Sequence, residues 1–288
     1  MFQGSVVALV TPFYKKKIDE KAFGDLIEWH IKEGTDGLLP CGCTGEAATL
    51  TVEEHRRLVE FTVEVTAGRC KVIAGTGSNN TAEALFLTRC AKKAGADAAL
   101  IITPYYNKPT PAGLILHYST IAKKVDIPII LYNVPSRTGI SILPETVAEL
   151  SKIPNIVAIK EASGSIDQVS AILNLCNINV LSGDDSLTLP IMAVGGKGVV
   201  SVAANVIPKE MVEMTHTFLE GKIDRAREIH RRYYPLFRGL FYETNPLPIK
   251  TLLAWMGKIK PEWRPPLCPM AEENEVRLRR VAENLGLI

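Results

Sequence analysis

Short apolar runs recur along the chain as far as Asn205: SVVALV, GLLP, KVIAG, DAALII, PIILYN, IVAIK, NVLSG and GVVSV. Each is nearly continuous in hydrophobic residues, the pattern of a parallel strand covered on both faces. Segments 19–33, 52–67, 81–94 and 144–150 lie between them and carry apolar positions at helical spacing. Their ends are punctuated as helices should be. Thr51 precedes Val52-Glu53-Glu54, an N-cap with a glutamate three residues on, and Gly34, Gly68 and Gly95 stand where helices should stop. After Asn205 the strand signal ends and the pattern turns helical over 209–220, 224–242, 246–256 and 271–285, with a Pro-rich loop at 260–269.

Eight strand-then-helix units predict an α/β protein of the (β/α)8 TIM-barrel type, with a doubly wound open sheet as the alternative that the same local patterns allow. The expected division is a catalytic barrel over 1–224 and a C-terminal helical extension over 225–288. A chain of 288 residues suits this, because such barrels run to about 250 residues before any appendage.

Composition narrows the functional classes. The chain is 47% hydrophobic and 22% charged, ordinary for a globular enzyme, and its net charge of +2 supplies no footprint for nucleic acid. No apolar run reaches the roughly 18 residues of a membrane span. The start MFQGSVVALVTPF does not read as a signal peptide, so a cytoplasmic enzyme with no membrane partner is expected. Six cysteines (Cys41, Cys43, Cys70, Cys90, Cys176, Cys268) show no Cys-x-x-Cys spacing and no clustered histidine. Mostly buried, reduced thiols and no metal site are expected.

Barrels carry their chemistry at the C-terminal ends of strands. Lys160 closes the run Ile156-Val157-Ala158-Ile159, where desolvation would disfavour its ammonium and leave an amine able to attack a carbonyl; a solvated lysine, or one paired with Glu161, fits the same position. Tyr132 closes the preceding strand. Its phenol can shuttle a proton, or merely satisfy a buried backbone group. Gly42-Cys43-Thr44-Gly45-Glu46 follows the second strand and offers small residues with free amides for a carboxylate, although many such turns bind nothing. Arg137 follows strand five as a fork suited to a carboxylate or simply as a surface arginine, and Tyr105 and Tyr106 follow strand four as candidate subunit contacts.

Taken together, these segments resemble the dihydrodipicolinate synthase family of pyruvate-dependent class I aldolases, the superfamily that includes N-acetylneuraminate lyase. The likeness runs from Gly4-Ser5-Val6-Val7-Ala8 to Ala204-Asn205-Val206 and rests on the glycine turn at 42–46, Tyr132-Asn133-Val134-Pro135-Ser136-Arg137-Thr138-Gly139 and Ile159-Lys160-Glu161-Ala162-Ser163-Gly164. It implies a Schiff base of pyruvate on Lys160, proton transfer by Tyr132, and Thr44 holding the pyruvate carboxylate and linking to Tyr132. It further implies Tyr106 reaching in from a neighbouring subunit, Gly183 and Val200 lining the pyruvate pocket, and Arg137 binding the carboxylate of L-aspartate 4-semialdehyde. No cofactor or metal is implied. A homotetramer built as a dimer of dimers is implied, as is a feedback site for L-lysine at Ala48, His55, Asn79, Glu83 and Tyr105. The chain departs from the family at Cys43, usually threonine, and at Ala47 and Val52, where serine and histidine are usual. A thiol donates hydrogen bonds more weakly than a hydroxyl, so the part of Cys43 in the relay is open. Two other functions compete: a pyruvate-dependent sugar-acid lyase, disfavoured by the charged fork of Arg137, and a non-catalytic sensor of pyruvate or an amino acid, disfavoured by Lys160 and Tyr132 together.

Overall fold

A computed structural model describes residues 2–288. Eight parallel strands close a barrel: β1 (Gly4–Ala8), β2 (Gly37–Leu39), β3 (Lys71–Gly75), β4 (Ala98–Ile102), β5 (Ile129–Asn133), β6 (Ile156–Glu161), β7 (Asn179–Ser182) and β8 (Gly198–Ser201). They are the eight runs read from the sequence. Each strand pairs with the next, and β1 pairs with both β8 and β2, which excludes the open sheet. A small hairpin not anticipated from the pattern, Phe13–Tyr14 with Lys17–Ile18, follows β1.

Period-two alternation sorts each strand's residues between two cores. Val6 and Ala8 of β1 and Ile130 and Tyr132 of β5 join the cluster inside the barrel, whereas Val7, Leu9, Ile129 and Leu131 face the helices. Both faces are dry, so the runs have no polar phase.

The helices α1 (Glu20–Lys32), α2 (Val52–Thr66), α3 (Thr81–Ala94), α4 (Pro111–Lys124), α5 (Pro144–Leu150), α6 (Ile166–Leu175), α7 (Thr188–Ala193) and α8 (Pro208–Leu219) cover the barrel. Thr51 and Glu54 form a reciprocal capping box on α2, as their spacing predicts. Gly95 closes α3 in the left-handed conformation, while α1 and α2 end one residue before Gly34 and Gly68, on Glu33 and Ala67.

The extension comprises α9 (Ile223–Gly239), α10 (Leu247–Trp255) and α11 (Glu272–Asn284). The division expected between 224 and 225 falls in the first turn of α9. Leu236 and Phe237 of α9 and Ile249, Leu252 and Leu253 of α10 share one core with Val7 and Leu9, so the extension is packed onto the barrel rather than hung from it. A buried ion pair reinforces this junction: Lys250 of α10 donates to Glu46 of the glycine turn, both side chains being fully enclosed. Burial pushes the Lys250 ammonium below its ordinary value, with Glu46 opposing that fall.

The cysteines are less buried than expected. Only Cys41 is enclosed; Cys43, Cys70, Cys90 and Cys176 are half-buried, Cys268 is exposed, and all six are free. Thiols at helix edges and loops are small enough to sit partly in solvent without exposing much apolar area. Among the described residues, no helix is long and apolar enough to cross a membrane.

Candidate active site

Strand register assembles the centre. Ala158 faces the barrel interior and Ile159 the helices, so Lys160 returns to the inside at the C-terminal end of β6. Its register partner on β5 is Tyr132, which puts Nζ 4.2 Å from the centroid of the phenol ring. Glu161 turns to the opposite face. There its carboxylate accepts from Asn133 Nδ2 at 3.1 and 3.0 Å and from the Ser163 amide at 2.7 Å. The Lys160–Glu161 pairing is therefore not made, and with Lys160 only 6% exposed a solvated lysine is excluded as well.

Burial disfavours the ammonium and lowers Lys160 from 10.5 to about 8, with Cys43 and Asp185 opposing and Arg137 adding to the fall. Asp185 was not anticipated. It lies buried beyond β7, accepts from the amides of Val202 and Ala203 at 3.2 and 2.9 Å, and is raised to about 6 chiefly by its own burial. Burial also drives the Tyr132 phenol well above its ordinary value. The Cys43 sulfur beside it adds to that rise, and the Arg137 guanidinium opposes it.

A cavity of about 540 Å³ opens over this pair, and Lys160, Tyr132, Cys43, Thr44 and Arg137 all line it. One expectation about the glycine turn needs correction. The amides of Gly45, Glu46 and Ala47 bond back to the Gly42 and Cys43 carbonyls, whereas those of Cys43 and Thr44 have no backbone partner. Thr44 does not link to Tyr132: its Oγ1 accepts from Asn245 Nδ2 at 2.9 Å, while the neighbouring side chain, Cys43, meets the phenol. Adjacent residues of the turn send their side chains in different directions, and that separates positions 43 and 44. Gly45 is needed here because a Cβ would lie 3.0 Å from the Leu9 carbonyl oxygen and 3.1 Å from the Cys41 nitrogen.

Gly183 lies against the lysine stem, where a Cβ would fall 3.1 Å from Lys160 Cε and 2.6 Å from Ala162 Cβ. Val200 is buried in the cluster inside the barrel that also holds Tyr132. Tyr106 is not among the residues that line the cavity; it is 90% exposed with φ 71°, a strained conformation for a bulky residue. Of the five positions read as an effector site, Ala48, His55, Glu83 and Tyr105 line the cavity, together with the departures Ala47 and Val52. Asn79 lies outside that wall, its carbonyl accepting from Asn107 Nδ2 at 2.9 Å. Glu83 accepts from Ser78 Oγ. Among the described residues, no group of three or more His, Cys, Asp or Glu side chains is gathered to hold a metal.

A barrel whose sixth strand ends in a buried, unpaired amine, with a phenol at the adjacent strand end, belongs to the class of lyases that work through an imine on lysine. Residues 1–285 match the pattern of the Dihydrodipicolinate synthetase family, and the chain belongs to that family. It is 57% identical over 290 residues to the 4-hydroxy-tetrahydrodipicolinate synthase of Thermodesulfovibrio yellowstonii, all of both chains being covered. The fold superposes at a TM-score of 0.98 and 43% identity on the chloride-inhibited dihydrodipicolinate synthase of Acinetobacter baumannii complexed with pyruvate, covering 100% of both chains. It superposes at 0.96 and 40% identity on the Cyanidioschyzon merolae enzyme with lysine bound, covering 100% of this chain and 99% of that one.

Proposed function

We propose that this chain condenses pyruvate with L-aspartate 4-semialdehyde to give 4-hydroxy-tetrahydrodipicolinate and water, a step of lysine and diaminopimelate biosynthesis. The observation that carries this reading is the buried Lys160 amine, without an ion-pair partner, facing Tyr132 in the cavity that Arg137 also lines.

Neutral Lys160 attacks C2 of pyruvate, and loss of water from the carbinolamine gives the imine. Removal of a methyl proton yields the enamine, whose carbon adds to the aldehyde of the second substrate. The amine of that substrate then displaces Lys160 from the imine carbon, closing the ring and freeing the enzyme. Tyr132 carries protons at the carbinolamine and aldehyde oxygens, within reach because its ring abuts Nζ. Thr44 holds the pyruvate carboxylate and Arg137 that of the semialdehyde. Lysine itself is the covalent carrier, so the chemistry needs neither cofactor nor metal.

The active form is a homotetramer, a dimer of dimers in which Tyr106 of a neighbouring subunit completes the proton path. The exposed, strained Tyr106 supports this, because such a residue is better accommodated once something covers it. L-Lysine binds at Ala48, His55, Asn79, Glu83 and Tyr105, weakened by Ala47 and Val52, which cannot make the polar contacts of serine and histidine. The enzyme works in the cytoplasm.

Turnover with pyruvate and aspartate semialdehyde, measured beside a panel of sugar acids, tests the reading. Product is expected only from the semialdehyde. Cleavage of a sugar acid in its place would establish the lyase alternative, and no borohydride-trapped pyruvate adduct would leave the sensor.

A further inference from the structure

Asn245 is where the helical extension reaches back over the barrel mouth, two residues before α10 begins. Its Nδ2 donates to Thr44 Oγ1 at 2.9 Å, and its backbone carbonyl accepts from Arg137 Nη2 at 2.9 Å. One residue thus touches both side chains assigned to carboxylates, one for each substrate. It lines the cavity, yet it is only 6% exposed and its Oδ1 has no hydrogen-bond partner. A buried amide oxygen left unsatisfied carries a desolvation penalty, and such groups in folded proteins call for a reason.

We infer that Asn245 is a positioning residue: its amide turns the Thr44 hydroxyl into a donor toward the pyruvate carboxylate, and its carbonyl aims Arg137 at the carboxylate of the second substrate. The inference rests on the substrate reading above. A threonine hydroxyl has one proton and two lone pairs. With a lone pair taken by the Nδ2 proton, the hydroxyl proton is free for the cavity, where an anion must be met by a donor. An oxygen in place of Nδ2 reverses this. It draws the hydroxyl proton to itself and turns a lone pair toward the incoming carboxylate. The two contacts come from different parts of the residue, so a side-chain change disturbs Thr44 and spares the carbonyl that holds Arg137.

Michaelis constants for both substrates in Asn245→Asp, Asn245→Ala, Thr44→Val and the double variant Thr44→Val/Asn245→Ala test this. Loss of one neutral hydrogen bond predicts that Asn245→Ala raises the pyruvate constant about fivefold. Asn245→Asp, nearly the same shape, is expected to raise it further, about tenfold or more, because the hydroxyl is then reversed. The semialdehyde constant should move less than about twofold in Asn245→Ala. In the Thr44→Val background Asn245→Ala should have no further effect on pyruvate. A packing role alone predicts the opposite order, with Ala worse than Asp, and an effect that persists without the hydroxyl; either result overturns the inference. Should Asn245→Ala fail to fold, the shape-conserving Asn245→Asp still decides. Wild-type protein that traps pyruvate on Lys160, with an unmoved pyruvate constant in Asn245→Asp, overturns the positioning role alone, whereas no trapping in wild type overturns the substrate reading and this inference with it.

Discussion

Imine formation uses the neutral amine, so its rate should follow the deprotonated fraction of Lys160. Burial holds that group at about 8, against 10.5 for an ordinary lysine. At pH 7 about one molecule in ten is then neutral, where a solvated lysine would offer about one in three thousand. The roughly three-hundredfold gain in nucleophile corresponds to about 3 kcal/mol of disfavoured ammonium. The assay is the initial rate of borohydride-trapped adduct with saturating pyruvate between about pH 6 and pH 10. It is expected to rise about tenfold per unit below pH 8 and to level off above it. The same burial acts on stability. A base whose folded value is lowered destabilises the fold below about pH 8, and the penalty is relieved as pH rises from about 8 to about 10.5, where the unfolded chain holds a proton that the folded one does not. Lys160→Met removes the charge and keeps the stem, so it should melt at a higher temperature at pH 7, by up to about 3 kcal/mol in stability. A trapping rate still climbing tenfold per unit between about pH 9 and pH 10, or a lower melting temperature for Lys160→Met, would mean that burial does not hold the Lys160 ammonium down.

Three substitutions probe the rest of the centre. Tyr132→Phe keeps the ring against Nζ and removes the transferable proton, so turnover should fall roughly a hundredfold or more while pyruvate still binds; near-normal turnover would assign the proton to another group. Arg137→Ala should raise the Michaelis constant for aspartate semialdehyde at least about tenfold and leave that for pyruvate almost unchanged; equal shifts would deny it the second carboxylate. Cys43→Thr places a stronger donor beside the phenol and is expected to be at least as active as wild type in steady-state turnover, a large loss meaning that the cavity is fitted to the thiol.

The strands and long helices could be read because each carries its own periodicity, and Thr51 with Glu54 announces α2 without help from the rest of the chain. Lys160 and Tyr132 were legible for a related reason: strand ends in a barrel are where polar residues interrupt apolar runs, and neighbouring strands bring them together. What the sequence hides is direction and distance. Thr44 was expected to meet Tyr132, but which of two successive turn residues faces the phenol depends on backbone torsions that no pattern of residue types records. Asn245 and Lys250 reach the site from about 200 residues away, as the separations of 201 and 204 to Thr44 and Glu46 show, and nothing local marks either one. Asp185 reads as an ordinary turn acid and becomes notable only when its burial near the lysine is known.

Locating the pyruvate adduct shows whether Lys160 is the nucleophile. Wild-type protein is incubated with pyruvate, reduced with borohydride, digested and mapped by mass spectrometry, with Lys160→Arg as the control that keeps a charge but cannot form the imine. One pyruvate-derived modification is expected, on the peptide carrying Lys160, and none in the variant. An adduct on Lys250, the other buried lysine, or on any other lysine, or an unmodified wild-type chain, would contradict it.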